Sequence, residues 1–347
     1  MNPPPNGEEY ETRMEGYLQY REEEKILKLM RKDGFLRKKY VRACVCEKKI
    51  VTLHAFMNRE FTLDIYRELL ECLQAHGYAL ISYSDYLKKE RQKASENECQ
   101  KASENERQKV SAEKFVVLRH DVDKKPENSL RTAQIEHSIG AKASYYFRVP
   151  ESGCYKGCSL PLPDAIRSIE RLGHEIGYHY EDMALCNGNV DKAYDHFQIW
   201  LDYFRRFYPV ETVCMHGAPT NQYDGRDLWK KYDYKALGII GEPYFDTDFS
   251  KVLYLTDTGR CWDGYKVSVR DKIPQFQDEW TKKGWSWHTT AQLMDAIEKN
   301  QLPDQLMMTT HPQRWTNKRL AWWKELVMQN TKNVVKRILI KNKKDKN

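Results

Sequence analysis

Histidine and aspartate side chains follow several apolar segments of the chain, at the points where those segments end. Six such residues stand at or just after these ends: Asp121, Asp123, His179, His216, Asp257 and His311. Because the carboxyl ends of parallel strands meet at one rim of an α/β barrel, we expect these side chains to converge. Carboxylates and imidazoles that meet at one point suit a divalent metal such as zinc. Taken singly, each histidine could instead be a packed, hydrogen-bonded residue, and each aspartate a turn or cap residue.

The elements that must position these side chains alternate along the chain. Apolar patterns predict strands at 78–83, 115–118, 144–149, 174–179, 210–215, 237–240, 252–255 and 305–310. Helical periodicity predicts helices around 65–73 and at 129–139, 164–172, 191–207, 291–299 and 320–339. Such alternation of strands and helices is typical of a parallel sheet or an α/β barrel.

Three motifs on these elements resemble those of a known family. They are Asp121-Val122-Asp123, the run Gly173-His174-Glu175-Ile176-Gly177-Tyr178-His179, and Thr310-His311-Pro312. In order and spacing they are similar to the first, second and fifth motifs of the polysaccharide deacetylase (NodB-homology) family. The resemblance covers roughly residues 56–340, without the polar repeat described below, and makes the chain a divergent member.

The resemblance implies a distorted (β/α)7 barrel and a metal-dependent hydrolase. Members of the family remove acetyl or related acyl groups from nitrogen, mostly on amino sugars, with one divalent ion. By likeness of motif, Asp121 is the catalytic base and His311 the general acid. Asp123 and His179 are two metal ligands. We expect zinc at this site, with cobalt, nickel or iron as alternatives.

The third metal ligand is where the chain departs from the family pattern. The family has a second histidine four residues after the first, but Met183 stands there in this chain. A thioether is a poor ligand for a hard, water-activating ion. Asp182 is our first choice of replacement because it is close in sequence, and His216 from the next strand end is the alternative. A further alternative is a catalytically inactive barrel that binds a carbohydrate or glycan precursor.

Substrate contacts are expected from two loops near the same rim. The segment 257–264 stands where the family has its fourth motif. Within it, Arg260 could pair with an anionic group and Trp262 could stack on a sugar ring. Arg314 and Trp315 lie beside the expected general acid. The alternative interpretation of the first loop is a structural turn with an internal Asp–Arg pair.

The remaining segments differ in composition from the barrel. Residues 1–55 form a basic, polar extension, and residues 341–347 form a basic tail. Residues 91–114 contain three copies of an eight-residue polar pattern, which cannot bury a core face and predicts a surface insertion. A nucleic-acid-binding role for the basic extension is the third functional alternative.

Composition narrows the class of protein further. Apolar residues make up 40% of the 347 residues, and no apolar run approaches the length of a membrane span. The nine cysteines are irregularly spaced, which favours reduced thiols over a disulfide framework. The first residues lack a secretory signal pattern, and a net charge of +7 alone does not indicate nucleic-acid binding. We therefore expect a cytoplasmic enzyme with a small-molecule or carbohydrate substrate.

Overall fold

The computed structural model describes residues 60–100, 113–217, 222–266, 268 and 271–329. The predicted extension at 1–55 and the tail at 341–347 lie outside these ranges. The first copy of the polar repeat continues a helix, and the second lies mostly outside the described residues.

Seven strands form one sheet in which every strand pair is parallel. They are β1 Ala79–Ile81, β2 Phe115–Val122, β3 Ser144–Phe147, β4 Glu175–Tyr180, β5 Val213–Met215, β6 Leu253–Thr256 and β7 Gln305–Thr310. Their order is β5-β4-β3-β2-β7-β6. Strand β1 pairs with residues 115–117 of β2, and β3 pairs with residues 119–122, so the two follow one another along one edge of β2.

Helices separate most of these strands in the sequence. They are α1 Leu63–Ala75, α2 Tyr83–Gln100, α3 Pro126–Ser138, α4 Leu162–Arg171, α5 Asp182–Leu185, α6 Val190–Arg205, α7 Pro243–Asp246, α8 Pro274–Lys282 and α9 Thr290–Glu298. Residues 319–329 are helical too. The alternation makes this a mixed α/β fold with a curled, all-parallel sheet, which agrees with a barrel-like architecture.

Local sequence signals explain where the helices begin and which face they bury. The Thr62 hydroxyl accepts a hydrogen bond from the backbone N–H of Ile65 and so caps α1. Helix α4 buries Leu162, Ala165, Ile166 and Ile169. That spacing of three or four residues places all of them on one side of the helix, toward the core.

Strand β2 lies at the centre of the sheet and is buried along its whole length. Its first four residues are the apolar run 115–118, as expected where both faces are covered. Residues 119–121 are polar and point alternately to the two faces. Arg119 and Asp121 share one face and pair with each other, whereas His120 contacts Glu136 of α3 on the other face.

One predicted strand is absent in its regular form. Residues 237–240 were expected to form a strand, but a 3-10 turn ends at Leu237 and Gly238 follows with a φ of 73°. Only an isolated parallel bridge, Thr212 with Gly241, extends the sheet beyond β5. Among the described residues, no ladder joins this segment to β6. A Cβ atom on Gly241 would lie 2.4 Å from Leu87 of α2, so close helix packing accounts for the glycine.

The beginning of the described α/β domain contacts the segment that follows its last strand. The Leu63 N–H donates to Asn317 Oδ1 over 2.8 Å, and the Thr316 N–H donates to the Phe61 carbonyl over 3.1 Å. The ring of Phe61 also packs against Trp315 with centroids 4.8 Å apart. These contacts fasten α1 to the polypeptide that carries His311.

None of the helices in the described ranges is both long enough and apolar enough to span a membrane.

Candidate metal centre

Three strand ends bring an aspartate and two histidines together. Asp123 directly follows β2, His179 lies near the end of β4, and His216 directly follows β5. One donor atom from each lies within 4.8 Å of the others. The Nε2 atoms of His179 and His216 are 3.7 and 3.5 Å from Asp123 Oδ1. This convergence at the carboxyl ends of parallel strands is the one expected from the sequence.

Hydrogen bonds on the far side of each ring fix the orientation of the two imidazoles. His179 Nδ1 donates to the Cys214 carbonyl oxygen over 2.9 Å. His216 Nδ1 lies 2.9 Å from a Glu181 oxygen, and Arg148 in turn pairs with Glu181. Nε2 is therefore the ring nitrogen that each histidine turns toward Asp123 and that could bind a metal. Outer hydrogen bonds of this kind orient metal-ligating histidines in many proteins.

The charge states also suit a cation. Burial raises the pKa of the Asp123 carboxyl, but His216, His311 and His179 lower it by more, so the group is ionised. Burial lowers the pKa of His179 to about 4, which keeps the imidazole neutral at pH 7. Asp123 Oδ1 is buried, and it has no hydrogen-bond partner among the described residues. An anionic oxygen without a hydrogen-bond partner, facing the Nε2 atoms of two histidines, is the arrangement that a divalent metal fits.

Asp121 lies on one side of this cluster. Its Oδ2 is 3.7 Å from His179 Nε2. The Arg119 guanidinium pairs with both oxygens, with Nε–Oδ1 and Nη2–Oδ2 distances of 2.9 and 2.7 Å. Burial raises the pKa of Asp121, but the charges of Arg119 and the nearby histidines outweigh it and hold the pKa below its ordinary value. The structure thus provides an ionised, rigidly held carboxylate beside the cluster.

His311 lies on another side of the cluster. Its Nε2 is 3.8 Å from Asp123 Oδ2, and its Nδ1 is 2.6 Å from Asp257 Oδ1. Burial and Arg314 lower the pKa of His311, but the adjacent carboxylates, Asp257 first, raise it by more, and the net pKa lies above the ordinary value. Such an imidazole is able to carry a proton near neutral pH.

Asp257 is the carboxylate that holds this second histidine. Besides His311 Nδ1, it accepts the His311 backbone N–H, Arg314 Nη1 and Trp315 Nε1. Burial raises the pKa of Asp257, but Arg314 and His311 lower it to about 2. The sequence singled out Asp257 as a strand-end residue, and the structure places it behind His311.

The preference for Asp182 as third ligand is wrong. Asp182 is fully buried away from the cluster, where both its oxygens accept from the Tyr178 hydroxyl and one lies 2.5 Å from His196 Nδ1. It opens helix α5, which turns its carboxylate toward α6. Of the two residues predicted for this position, the structure brings His216 to the cluster. Met183, at the family's usual histidine position, is part of the hydrophobic core.

The two residues predicted to bind substrate from the loop after β6 are structural. Arg260 is 9% exposed, donates to the Arg314 carbonyl and lies over the rings of Phe61 and Trp322. Trp262 is buried in the core and donates from Nε1 to the Thr290 hydroxyl over 3.0 Å. Neither side chain is available to a sugar, which favours the alternative of a structural loop.

The two predicted substrate residues after His311 are also buried. Arg314 contributes its guanidinium to Asp257 at 2.5 Å, and Trp315 contributes its Nε1–H to the same carboxylate at 2.8 Å. Trp315 is only 1% exposed. Both residues position His311 through Asp257, so the prediction that they bind substrate is wrong.

Sequence reasoning missed the residues that hold the cluster in place. Arg119 is two residues before Asp121, and strand alternation puts both on one face, so this pair could have been predicted. Glu181 is likewise two residues after His179, but its partners His216 and Arg148 come from other strand ends. Such long-range pairs have no local sequence signal.

Comparison with protein-family models gave no match, and a search of curated proteins gave none either. The likeness to the polysaccharide deacetylases therefore rests on the three motifs quoted above.

Proposed function

We propose that this protein is a metal-dependent hydrolase that removes an acetyl or other acyl group from the nitrogen of an amino sugar or a related amide. The observation that carries the proposal is the set of Asp123, His179 and His216, flanked by an ionised Asp121 and a protonatable His311. We further propose that the sheet is the wall of a distorted (β/α)7 barrel in which residues 239–241 take the place of the missing strand.

Asp123, His179 and His216 would hold the ion. Two imidazoles and one carboxylate are a donor set suited to zinc, and cobalt, nickel and iron accept the same donors. When bound, such an ion polarises an amide carbonyl and lowers the pKa of coordinated water towards about 7. Three protein donors would leave coordination positions for water or substrate.

Asp121 serves as the general base. Its lowered pKa keeps it ionised at neutral pH, so it can take the proton of the attacking water. Arg119 holds both carboxylate oxygens, which fixes the direction in which Asp121 presents its lone pairs. This positioning avoids reorganisation during the reaction.

His311 serves as the general acid. Asp257 holds the Nδ1 side of the ring, so Nε2 is the atom that faces the cluster and donates its proton to the departing nitrogen. Arg314 and Trp315 fix Asp257 in turn. The base and the acid therefore approach the same centre from different strands.

Elemental analysis of the purified protein tests the proposal. We expect about one transition-metal ion per chain at this centre, lost in His179→Ala and His216→Ala because each removes a donor. Asp182→Asn is the matched control, since it changes a buried carboxylate outside the cluster and should retain this ion. The loaded wild type should release acetate from a panel of N-acetylated amino sugars.

Two outcomes would overturn the proposal. A wild-type chain that binds no metal at this centre after reconstitution would remove its basis and favour the inactive, carbohydrate-binding barrel. A loaded chain that turns over equally well with Asp121→Asn would show that the chemistry happens elsewhere.

A further inference from the structure

A second group of metal-type donors lies outside the centre described above. Cys261 and Asp263 belong to the loop after β6, and His288 belongs to the segment before α9. One donor atom of each lies within 4.8 Å of the other two. Cys261 and Asp263 are buried, whereas the side chain of His288 is 66% exposed. The group thus has a rigid inner side and one side open to solvent.

The backbone holds these donors in place. Arg260, just before Cys261, has a φ of 59°, in the left-handed region. A Cβ atom on Gly264, just after Asp263, would lie 2.3 Å from the Thr258 carbonyl oxygen, so only glycine allows this tight loop. The Trp262 N–H donates to the His288 carbonyl over 3.2 Å and ties the two segments together.

The three side chains make other hydrogen bonds in the metal-free chain. His288 Nδ1 lies 2.8 Å from Asp263 Oδ1, and the Cys261 thiol donates to the Thr258 carbonyl oxygen over 3.5 Å. Lys266 pairs with the other carboxylate oxygen, Oδ2, over 2.8 Å. A divalent ion bound by a thiolate, an imidazole nitrogen and a carboxylate would replace the first two of these hydrogen bonds.

We propose that Cys261, Asp263 and His288 form a second metal site, which takes a zinc-class divalent cation. A thiolate with an imidazole and a carboxylate selects such ions over magnesium and calcium, which prefer oxygen ligands. Burial and Asp263 raise the pKa of the Cys261 thiol to about 12, so the bare protein holds the thiol proton at neutral pH. On binding, the Cys261 thiol would give its proton to solvent, and the proton on His288 Nδ1 would pass through solvent to Nε2, which leaves the Nδ1 lone pair for the ion.

The site has a structural role. It joins the loop that begins at Asp257 to the segment before α9, two pieces that otherwise meet through the Trp262–His288 backbone contact and a few side-chain bonds. Because Asp257 holds His311, a cation at this site stiffens the support of the proposed general acid. The site itself does not depend on the proposed function.

Cobalt substitution tests this site separately from the first. Bound Co²⁺ gives near-ultraviolet charge-transfer absorption only where a thiolate is a ligand, and the set of Asp123, His179 and His216 has none. We expect this absorption in the Co²⁺-loaded wild type and its loss in Cys261→Ser. Cys214→Ser, which changes the buried thiol beside His179, should keep it.

His288→Ala provides a second variant, and because the His288 side chain is largely exposed, the change removes little packing. We expect the zinc content to fall from about two ions to about one per chain in this variant, and likewise in His179→Ala. Only the Cys261 and His288 variants should lose the thiolate absorption. If the wild type lacks that absorption, or Cys261→Ser retains it, the second site is excluded while the first stands.

Discussion

The two faces of strand β2 carry the same kinds of residue in opposite states. On the helix-facing side, Glu136 accepts from Tyr66, His120 and Tyr145, each at 2.6 Å, and His120 also bonds Thr310. On the other side, Asp123 keeps one buried oxygen without a hydrogen-bond partner in the described residues.

The difference separates a structural cluster from a candidate metal centre. Both contain a carboxylate and histidines. In the Glu136 cluster, three hydrogen-bond donors at 2.6 Å already satisfy the anion, which leaves no place for an ion. In the Asp123 cluster, the imidazole Nε2 atoms lie 3.7 and 3.5 Å from Oδ1, beyond ordinary hydrogen-bond distance. Residue type alone does not distinguish these cases, whereas the hydrogen-bond geometry does.

The face of β2 that carries Asp121 is called the rim face here. The largest expected effect on this face is on catalysis. Asp121→Asn should lower kcat by about 10³ to 10⁴-fold because it removes the proton acceptor. Its metal content should stay that of the wild type, because asparagine leaves the three donors untouched. Steady-state kinetics and elemental analysis on one preparation check both parts. Circular dichroism checks that weakening the ion pair with Arg119 has not disrupted the fold. Loss of metal together with activity would instead make Asp121 a ligand.

On the face of β2 that packs against α3, called the helix face here, a substitution should change stability and leave metal content unchanged. Glu136→Ala should lower the free energy of unfolding by about 3 to 5 kcal/mol, because it strips a buried histidine and two tyrosines of their shared partner. Asp123→Ala is the matched variant on the rim face. It should destabilise the metal-free protein by less than Glu136→Ala does, since Asp123 accepts one long hydrogen bond, from Gln313 over 3.3 Å, where Glu136 accepts three at 2.6 Å. It should also abolish metal binding. Urea denaturation with metal analysis measures both, and equal behaviour of the two variants would erase the contrast.

The outer hydrogen bonds of the rim histidines should have a smaller effect. Glu181→Gln weakens the acceptor that holds His216 Nδ1, so metal affinity should fall by about 10 to 100-fold. Titration against a competing chelator measures the change. Glu151→Gln, which alters a carboxylate beside His196, is the control and should leave the affinity unchanged. An unchanged affinity in Glu181→Gln would mean that His216 is not oriented by this bond.

The last prediction concerns the pH dependence of stability. The folded protein holds the pKa of His179 at about 4, below the ordinary 6.5, so the unfolded chain binds more protons between these values. Stability of the metal-free protein should therefore fall as the pH drops from about 6.5 to about 4, by at most about 1.4 kcal/mol per pH unit from this group. His179→Gln should flatten the slope. If the slope of stability against pH remains in His179→Gln, it arises from other titratable groups.

The sequence predicted the strand-end residues because strand and helix periodicity locate the ends and parallel pairing brings them together. Asp121, Asp123, His179, His216 and His311 could be placed at one rim for that reason. The choice between Asp182 and His216 could not be made, because it depends on the direction in which α5 leaves β4. Closeness in sequence favoured the wrong residue.

The sequence also did not predict which of these side chains are exposed. Trp262 and Trp315 have the residue type expected of sugar-stacking platforms, but their burial depends on packing from distant segments such as α1 and α9. The guanidinium groups of Arg260 and Arg314 likewise form hydrogen bonds with other residues of the protein. The prediction of a strand at 237–240 was wrong for a related reason, since the local sequence pattern does not show the approach of α2 at Gly241.

The contact of residues 61–63 with residues 316–317 bears on how freely the chain order can be altered. The two ends of the described α/β domain meet through backbone and side-chain hydrogen bonds at about 3 Å. A short linker can join such ends, so a circularly permuted gene, opened at the exposed residues 283–284 after α8, retains every strand neighbour. Connectivity and architecture are separable in this domain.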